Sequence, residues 1–262
     1  MTLTRPRPRY DGRRLARSLL RAPLDYRVVL LTVATSAVAT AWATRALGPD
    51  VTTTEVDRLG FGLPPLLDGR PWALLSGMFL VEALTLPLPL FTLLGIALYE
   101  HVARHWRAAV VLVGGQLAGV LVVCGLLYPL RHGDWAWARD LAGTIDFGMS
   151  VGGFATLGAW TAHLPVAWRR RLRVGLSCYF PGPLLFSGLV YDLTHPAGWA
   201  IGIGLGAVLA SGAPHPADRT PRRPSETIGL VVVAAVGALA GVVLGWGGGG
   251  SGGPFGWGPG AG

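Results

Sequence analysis

Ser150 and His195 are the two residues of this chain that best fit a nucleophile and its base. Ser150 lies in the pattern G-x-S-x-G, from Gly148 to Gly152, which in many soluble hydrolases presents a serine nucleophile at the start of a helix. His195 opens a second apolar stretch, HPAGWAIGIGLG. A serine hydroxyl becomes a nucleophile when a neighbouring base accepts its proton, so the two side chains must meet in the fold.

The stretch after His195 carries glycines at helical spacing. Because these glycines follow the histidine at intervals of three, four and four residues, all four residues share one face of a helix. The glycines are Gly198, Gly202 and Gly206. A face lined with glycine lets a second helix approach closely, as in G-x-x-x-G packing.

Ser150 shares its own helical face with Phe154 and Gly158. If this face packs against the glycine face, Ser150 Oγ comes within hydrogen-bond reach of His195 and Phe154 lies beside the imidazole. Small residues at such spacing commonly serve helix packing alone, so a structural role for Ser150 is the competing interpretation.

The composition of the chain indicates a membrane protein. Hydrophobic residues make up 51% of the 262 residues and charged residues only 14%, whereas soluble domains carry about 25% charged residues. Mean hydropathy is +0.48. Two cysteines, Cys124 and Cys178, lie inside apolar stretches and are expected to be buried free thiols.

Seven apolar stretches are candidates for membrane-spanning helices, each judged against the roughly 20 residues needed to cross a bilayer. They cover Val28–Thr44, Trp72–Tyr99, Ala108–Tyr128, Ile145–Leu164, Val174–Tyr191, His195–Ser211 and Thr227–Trp246. The second contains TLPLPL, whose prolines are expected to kink or break the helix. Pro196 predicts that His195 stands at the start of the sixth helix.

The arginines predict the orientation of these spans. With the N-terminus in the cytoplasm, the cytoplasmic segments hold 17 arginines and the outer segments 5, as the positive-inside rule requires. Residues 1–27 form a basic cytoplasmic segment, 28–211 a six-span domain, 212–226 a cytoplasmic linker, 227–246 a seventh span and 247–262 a glycine-rich extracytoplasmic tail. This orientation places Ser150 and His195 at similar depth below the outer surface. We therefore expect a multi-pass protein of the cell membrane.

Two segments carry a resemblance to a known family. GMSVGGFATLG has G-x-S, an aromatic residue four positions after the serine and a glycine eight positions after it, and HPAGWAIGIGLG has H-x-x-G-x-x-x-G. These patterns resemble the fourth and sixth spans of the rhomboid family of intramembrane serine proteases. PWALLSGMFL and LLGIALYEHVARHWRAAVVLVGGQLAGVL are similar to the family's second span and the connection to its third. The resemblance covers about Arg70 to Ser211.

The resemblance implies an all-α, rhomboid-like six-helix core, with the seventh span as the additional C-terminal helix of some members. It also implies a Ser150–His195 dyad that cleaves transmembrane or juxtamembrane segments of membrane proteins. The structural support would come from Gly148, Phe154, Gly158, Gly198, Gly202 and Gly206. Backbone N–H groups at the start of the fourth helix could bind the oxyanion. Neither a metal nor a cofactor is implied, and the expected partners are the lipid bilayer and other membrane proteins, not nucleic acid.

The chain departs from the family's pattern in its second span. Active members usually carry H-x-x-x-N there, which helps bind the oxyanion, but FLVEALTLPLPLF contains neither His nor Asn. Val151 stands where the family usually has glycine, and Ala73 where an arginine often follows the tryptophan. A non-catalytic rhomboid-like protein that binds transmembrane helices is therefore the alternative hypothesis. An unrelated transporter or scaffold is a third, although the chain lacks the paired ionisable residues or inverted repeat expected of a transporter.

Four further polar residues lie in apolar surroundings. Glu82 is expected to face water or to pair with Arg70 in the outer part of the second span. Asp146 is expected either to cap the fourth helix or, as a third catalytic residue, to orient His195. Gln116 and Asp192 are expected to make structural hydrogen bonds.

Overall fold

The computed structural model describes residues 26–47, 58–80, 87–186 and 188–210. These residues are mainly helical, which confirms the predicted all-α class. The helices are α1 (Arg27–Leu47), α2 (Leu63–Leu67), α3 (Ala73–Ser76), α4 (Pro87–Val102), α5 (His105–Leu130), α6 (Ala136–Ala142), α7 (Ser150–Trp160), α8 (Val166–Tyr179), α9 (Pro181–Phe186) and α10 (Tyr191–Leu209). Two 3₁₀ helices, Gly77–Phe79 and Thr161–His163, follow α3 and α7. Strands β1 (Phe61–Gly62) and β2 (Ile145–Asp146) pair antiparallel.

Helix α7 is the centre of the bundle, as predicted for the fourth span. It packs most extensively against α10 and also contacts α4 and α5 along its length. Every residue of α7 except Trp160 is buried. A helix that is apolar on all sides and surrounded by other helices is stable only inside a core, so the sequence of α7 suits this position.

Glycines allow the neighbouring helices to approach α7 this closely. A Cβ atom placed on Gly198 or Gly202 of α10 would collide with the backbone of Val151 or Ala155. A Cβ on Gly115 of α5 would likewise collide with the Ala155 side chain. The glycine face predicted from the sequence is therefore the surface on which α10 packs against α7.

Glu100, at the C-terminal end of α4, holds the first helix in place. Its buried carboxylate accepts hydrogen bonds from the backbone N–H groups of Val28 (2.7 Å) and Val29 (3.1 Å). His105 Nδ1 lies 2.7 Å from the same carboxylate. Because the first N–H groups of a helix have no partner within the helix, a carboxylate there stabilises the start of α1.

The structure supports the predicted membrane-spanning helices only in part. Among the described residues, α5 is the one helix long and apolar enough to cross a membrane. Shorter apolar helical segments cover Arg27–Trp42 and Phe91–Val102. The described residues therefore form a helical bundle, and the number of spans stays a prediction.

Two predicted stretches are shorter or broken in the structure. The fourth forms α7, whose 11 residues extend about 16 Å, because the chain before Ser150 forms β2 and a turn. The fifth is divided between α8 and α9, since a new helix begins at Pro181. Proline lacks the N–H that would continue the preceding helix.

Prolines lie at two predicted boundaries. In the second stretch, the described part of α4 begins at Pro87 and residues 81–86 lie outside the described residues, so the kink or break stays a prediction. In the sixth, α10 begins at Tyr191, which places His195 one turn inside the helix and Pro196 within it. The prediction that His195 stands at the helix start is therefore wrong. Asp192 stabilises the earlier start, because its carboxylate accepts a hydrogen bond from the Leu189 N–H (2.8 Å).

Several predictions lie outside the described residues. They concern Glu82, most of the basic N-terminal segment, the linker 212–226, the seventh span 227–246 and the tail 247–262. Arg70, the expected partner of Glu82, forms an ion pair with Asp68 at 2.9 Å.

Candidate active site

A glycine turn places Ser150 at the first position of α7. Gly148 has a φ of 96°, a backbone conformation that residues other than glycine rarely adopt. Its N–H donates a hydrogen bond to the Gly77 carbonyl at 2.8 Å, which fixes the turn against the 3₁₀ helix after α3. The turn therefore requires the glycine of the G-x-S pattern. It places Ser150 at the N-terminus of the central helix.

Ser150 and His195 meet where α7 packs against α10. Ser150 Oγ lies 2.8 Å from His195 Nε2, so the predicted proximity of the two side chains is confirmed. Ser150 is 9% exposed and His195 7% exposed, so the pair lies just beneath the surface of the bundle. This distance is within the hydrogen-bond reach required between a nucleophile and its general base.

Gln116 holds the backbone on both sides of Ser150. This α5 side chain is fully buried. Its Nε2 donates to the Gly148 carbonyl at 2.9 Å, and its Oε1 accepts from the Gly152 N–H at 2.8 Å. The expectation that Gln116 makes structural hydrogen bonds is confirmed, and these bonds fix the backbone on both sides of Ser150.

Two backbone N–H groups beside Ser150 have no hydrogen-bond partner among the described residues. The N–H of Gly152 is used by Gln116 and that of Gly153 by the Met149 carbonyl. Within the described residues, the N–H groups of Ser150 and Val151 make no hydrogen bond to the protein. The first N–H groups of a helix lack partners within it and favour negative charge, so the arrangement suits an oxyanion.

Aromatic rings hold the imidazole of His195. The ring of Phe154 lies 4.7 Å from it, centroid to centroid, with 37° between the planes. Tyr191, one turn earlier on α10, lies 5.5 Å from it at 30°. Phe154 is in turn packed against Phe91 and Phe180. The predicted place of Phe154 beside the imidazole is confirmed, and the ring has little room to rotate away from Ser150.

The remaining predicted support residues lie along the contact of α7 with α10. A Cβ atom on Gly158 would approach the Trp199 carbonyl to 2.6 Å, and one on Gly206 would approach Ala159 Cα to 2.6 Å. Together with Gly198 and Gly202, these residues set the separation of the two helix axes. They therefore fix the distance from Ser150 to His195 without touching either side chain.

Among the described residues, the Asp146 side chain neither caps α7 nor bonds to His195. Its Oδ1 accepts a hydrogen bond from the neighbouring Phe147 N–H at 2.8 Å, and the residue pairs with Phe61 in the β1–β2 ladder. Met149 is the N-cap residue of α7 and makes no side-chain cap. Strand pairing holds the Asp146 backbone before the turn, and among the described residues no hydrogen bond links it to His195.

The sequence did not single out Tyr191 for the site, and it did not indicate that Gln116 brackets Ser150. The i, i+4 spacing of Tyr191 and His195 would have indicated contact had the start of α10 been placed correctly. A single Gln inside an apolar helix signals a buried hydrogen bond, but only the packing of α5 on α7 specifies its partners.

Among the described residues there is no group of three or more His, Cys, Asp or Glu side chains that could hold a metal ion. Comparison with models of protein families, with curated proteins and with solved structures gives no match for this chain. The chemistry that Ser150 and His195 can perform must therefore be inferred from their geometry and from the sequence patterns around them.

Proposed function

We propose that this protein is an intramembrane serine endopeptidase, similar in plan to the rhomboid family, with Ser150 as nucleophile and His195 as general base. The observation that carries the proposal is the 2.8 Å contact between Ser150 Oγ and His195 Nε2. The motifs around both residues, which resemble the family's fourth and sixth spans, support the same assignment.

The reaction begins with a proton transfer. Neutral His195 accepts the proton of Ser150 Oγ at Nε2 while Oγ attacks the carbonyl carbon of a peptide bond. The imidazolium then gives this proton to the leaving amine, which leaves an acyl group on Ser150. Water, deprotonated by His195, hydrolyses the ester and regenerates the hydroxyl. The rings of Phe154 and Tyr191 keep the imidazole facing Oγ during these steps.

The oxyanion of the tetrahedral intermediate is held by the N–H groups of Ser150 and Val151. Both stand at the N-terminus of α7, where the helix dipole favours negative charge. Because FLVEALTLPLPLF lacks the usual His and Asn donors, these two backbone groups would supply the main stabilisation. We therefore expect slow turnover, since one missing donor costs about 10²–10³ in rate.

A membrane location agrees with the surface of the bundle. Large apolar side chains on several helices are exposed, among them Leu31, Val38, Leu94, Leu126 and Val208. Exposed apolar surface on this scale marks contact with lipid or with other proteins. With the arginine distribution, it supports a multi-pass protein of the cell membrane whose N-terminus is cytoplasmic and whose substrates are other membrane proteins.

A second function, binding of transmembrane helices without cleavage, is favoured by one specific observation. The second span contains no side-chain donor of the kind that active members use for the oxyanion. In that case the Ser150–His195 hydrogen bond would be a structural contact between α7 and α10. Loss of the hydroxyl would then leave partner binding intact.

Labelling with a fluorophosphonate serine probe distinguishes the two functions. The purified full-length protein in detergent micelles should be labelled, and Ser150→Ala should abolish labelling. His195→Ala should also abolish it, because the hydroxyl loses its base. Ser177→Ala is the control, since Ser177 is an exposed serine whose hydroxyl accepts a hydrogen bond from Trp199 and has no histidine base among the described residues, so it should not react.

Cleavage of a transmembrane test substrate in bicelles is the second measurement. The protease proposal predicts cleavage that depends on both residues. The protease proposal would be refuted if the wild-type protein is not labelled although circular dichroism shows that it is folded. Equal binding of the test helix by the wild type and by Ser150→Ala would then favour the helix-binding function.

A further inference from the structure

Buried polar atoms without hydrogen-bond partners are concentrated at one end of the bundle. At this end α4 ends, α5 begins and the 3₁₀ helix Thr161–His163 leads into α8. Among the described residues four buried side-chain atoms lack a partner, and three of them belong to α4, α5 and α8: Tyr99 Oη, Arg107 Nε and Arg171 Nε. Buried polar groups in native proteins are nearly always satisfied, so these atoms point to a bound acceptor.

Tyr99, Arg107 and His163 come together from three different elements. Tyr99 is fully buried, and its ring lies 5.9 Å from that of His163, centroid to centroid. Arg107 directly precedes Ala108, which lies in one buried cluster with Tyr99. Arg107 is only partly buried as a residue, although its Nε is enclosed. All three side chains can donate hydrogen bonds. The carboxylate that follows Tyr99 in the chain, Glu100, is already bonded to the Val28 and Val29 N–H groups and to His105.

The surface around this cluster has the character of a membrane interface. Trp106 is 52% exposed and Trp168 62% exposed. Each has an arginine over its ring, Arg107 at 5.5 Å and Arg171 at 5.3 Å. The segments 101–107 and 163–173 contain no Asp or Glu. Exposed tryptophan beside arginine is typical of the headgroup region, where anionic lipids attract basic segments.

We propose that Tyr99, Arg107 and His163 form a binding site for the phosphodiester of an anionic phospholipid. The Arg107 guanidinium donates to the phosphate oxygens, for which its planar fork is well suited. The Tyr99 hydroxyl donates a hydrogen bond to a further oxygen of the phosphodiester. The neighbouring tryptophans favour a lipid over free phosphate as the source of this group. The site rests on the proposed membrane placement and is independent of the chemistry at Ser150.

A bound lipid would stabilise the fold, because a ligand that binds only the folded state shifts the unfolding equilibrium by mass action. It would join the ends of α4 and α5 to the turn after α7. We therefore expect the thermal unfolding midpoint of the full-length protein to rise when phosphatidylglycerol is added to phosphatidylcholine nanodiscs. Native mass spectrometry should detect saturable binding of phosphatidylglycerol.

Arg107→Gln tests the charged contact. We expect its affinity for phosphatidylglycerol to fall about tenfold, as for the loss of one charge-assisted hydrogen bond. Arg104→Gln is the matched control, because it removes the same charge from an exposed position at the N-cap of α5. Equal losses in the two variants would mean general attraction to a basic surface and would overturn the site.

Tyr99→Phe tests the buried hydroxyl with little risk to folding. We expect several-fold weaker lipid binding and an unchanged unfolding midpoint in pure phosphatidylcholine. Unchanged lipid affinity in this variant would overturn the site. Inorganic phosphate is the remaining comparison: if it raises the unfolding midpoint as much as phosphatidylglycerol does, the phosphate comes from a soluble ligand and the lipid proposal is wrong.

Discussion

Gln116 shows how a residue that touches neither Ser150 Oγ nor His195 can control their contact. Its amide bridges the Gly148 carbonyl and the Gly152 N–H, so the backbone around Ser150 is anchored to α5 from both sides. A hydroxyl at the first position of a helix would otherwise move with any fraying of the first turn. Gln116 therefore helps to fix the position of Ser150, and with it the distance from Ser150 Oγ to His195 Nε2.

Replacement of Gln116 by leucine tests this role. Gln116→Leu keeps the volume but leaves a buried carbonyl and a buried N–H without partners, each at a cost of about 1–3 kcal/mol. We expect a lower thermal unfolding midpoint and, at temperatures where the variant is folded, slower labelling of Ser150 by the serine probe. Leu121→Ala, on the exposed face of the same helix, is the comparison and should change neither. Full-rate labelling of a folded Gln116→Leu protein would contradict the positioning role.

At the scale of elements, the contact of α7 with α10 decides whether a site exists. Both helices begin near the dyad and run side by side, and glycine keeps their backbones close. Close approach in membranes depends on such small residues, since lipid tails are as apolar as the side chains they replace. A methyl group in this contact would push the helices apart and separate Ser150 from His195.

Two glycines two residues apart on α10 provide a matched test. Gly202→Ala places a methyl group against the Ala155 backbone, so we expect destabilisation of about 1–3 kcal/mol, as for overpacking of a core. Gly204→Ala points into open space and should be neutral or stabilising by up to about 1 kcal/mol, because alanine favours the helix. Unfolding midpoints and probe labelling would be measured for both. Equal behaviour of the two variants would exclude the glycine contact as the determinant of the site.

Glu100 makes a second prediction at this scale, for the attachment of α1. Glu100→Gln removes the charge and one of the acceptor oxygens that bind the Val28 and Val29 N–H groups. We expect faster hydrogen exchange at these two amides and a loss of about 1–3 kcal/mol in stability. Asp68→Asn makes the same chemical change at an exposed ion pair and should leave exchange in α1 unchanged. Slow exchange in Glu100→Gln would show that α1 is held by packing alone.

At the scale of the whole molecule, orientation is the main prediction that the described residues do not test. The imbalance of 17 to 5 arginines predicts a cytoplasmic N-terminus and an extracytoplasmic glycine-rich tail. A C-terminal fusion to alkaline phosphatase should be active, since this enzyme requires an oxidising compartment, and a C-terminal green fluorescent protein should be dark. The reverse pattern would place the tail in the cytoplasm and remove the basis for putting the dyad near the outer surface.

The sequence predicted the helical class and the meeting of Ser150 with His195 because each depends on a local pattern. Glycine spacing defines a helix face, and a face lined by glycine has few packing solutions other than close contact with another helix. The same reasoning predicted Phe154 beside the imidazole. It failed for the start of α10, because Pro196 favours a helix start at His195. The expected structural hydrogen bond of Asp192 is confirmed, but only the structure shows that it lies in the first turn of α10.

What the sequence by itself determined is therefore the pair and the faces that carry it: a G-x-S turn, a histidine in register with three glycines, and too few charges for a water-facing surface. Only the tertiary structure decided the partners of Gln116, the pairing of Asp146 in a strand, and which N–H groups beside Ser150 have no partner among the described residues. Periodicity reports which side of a helix is small or apolar, but hydrogen bonds between elements depend on depth and rotation. These are fixed only when all the helices pack together.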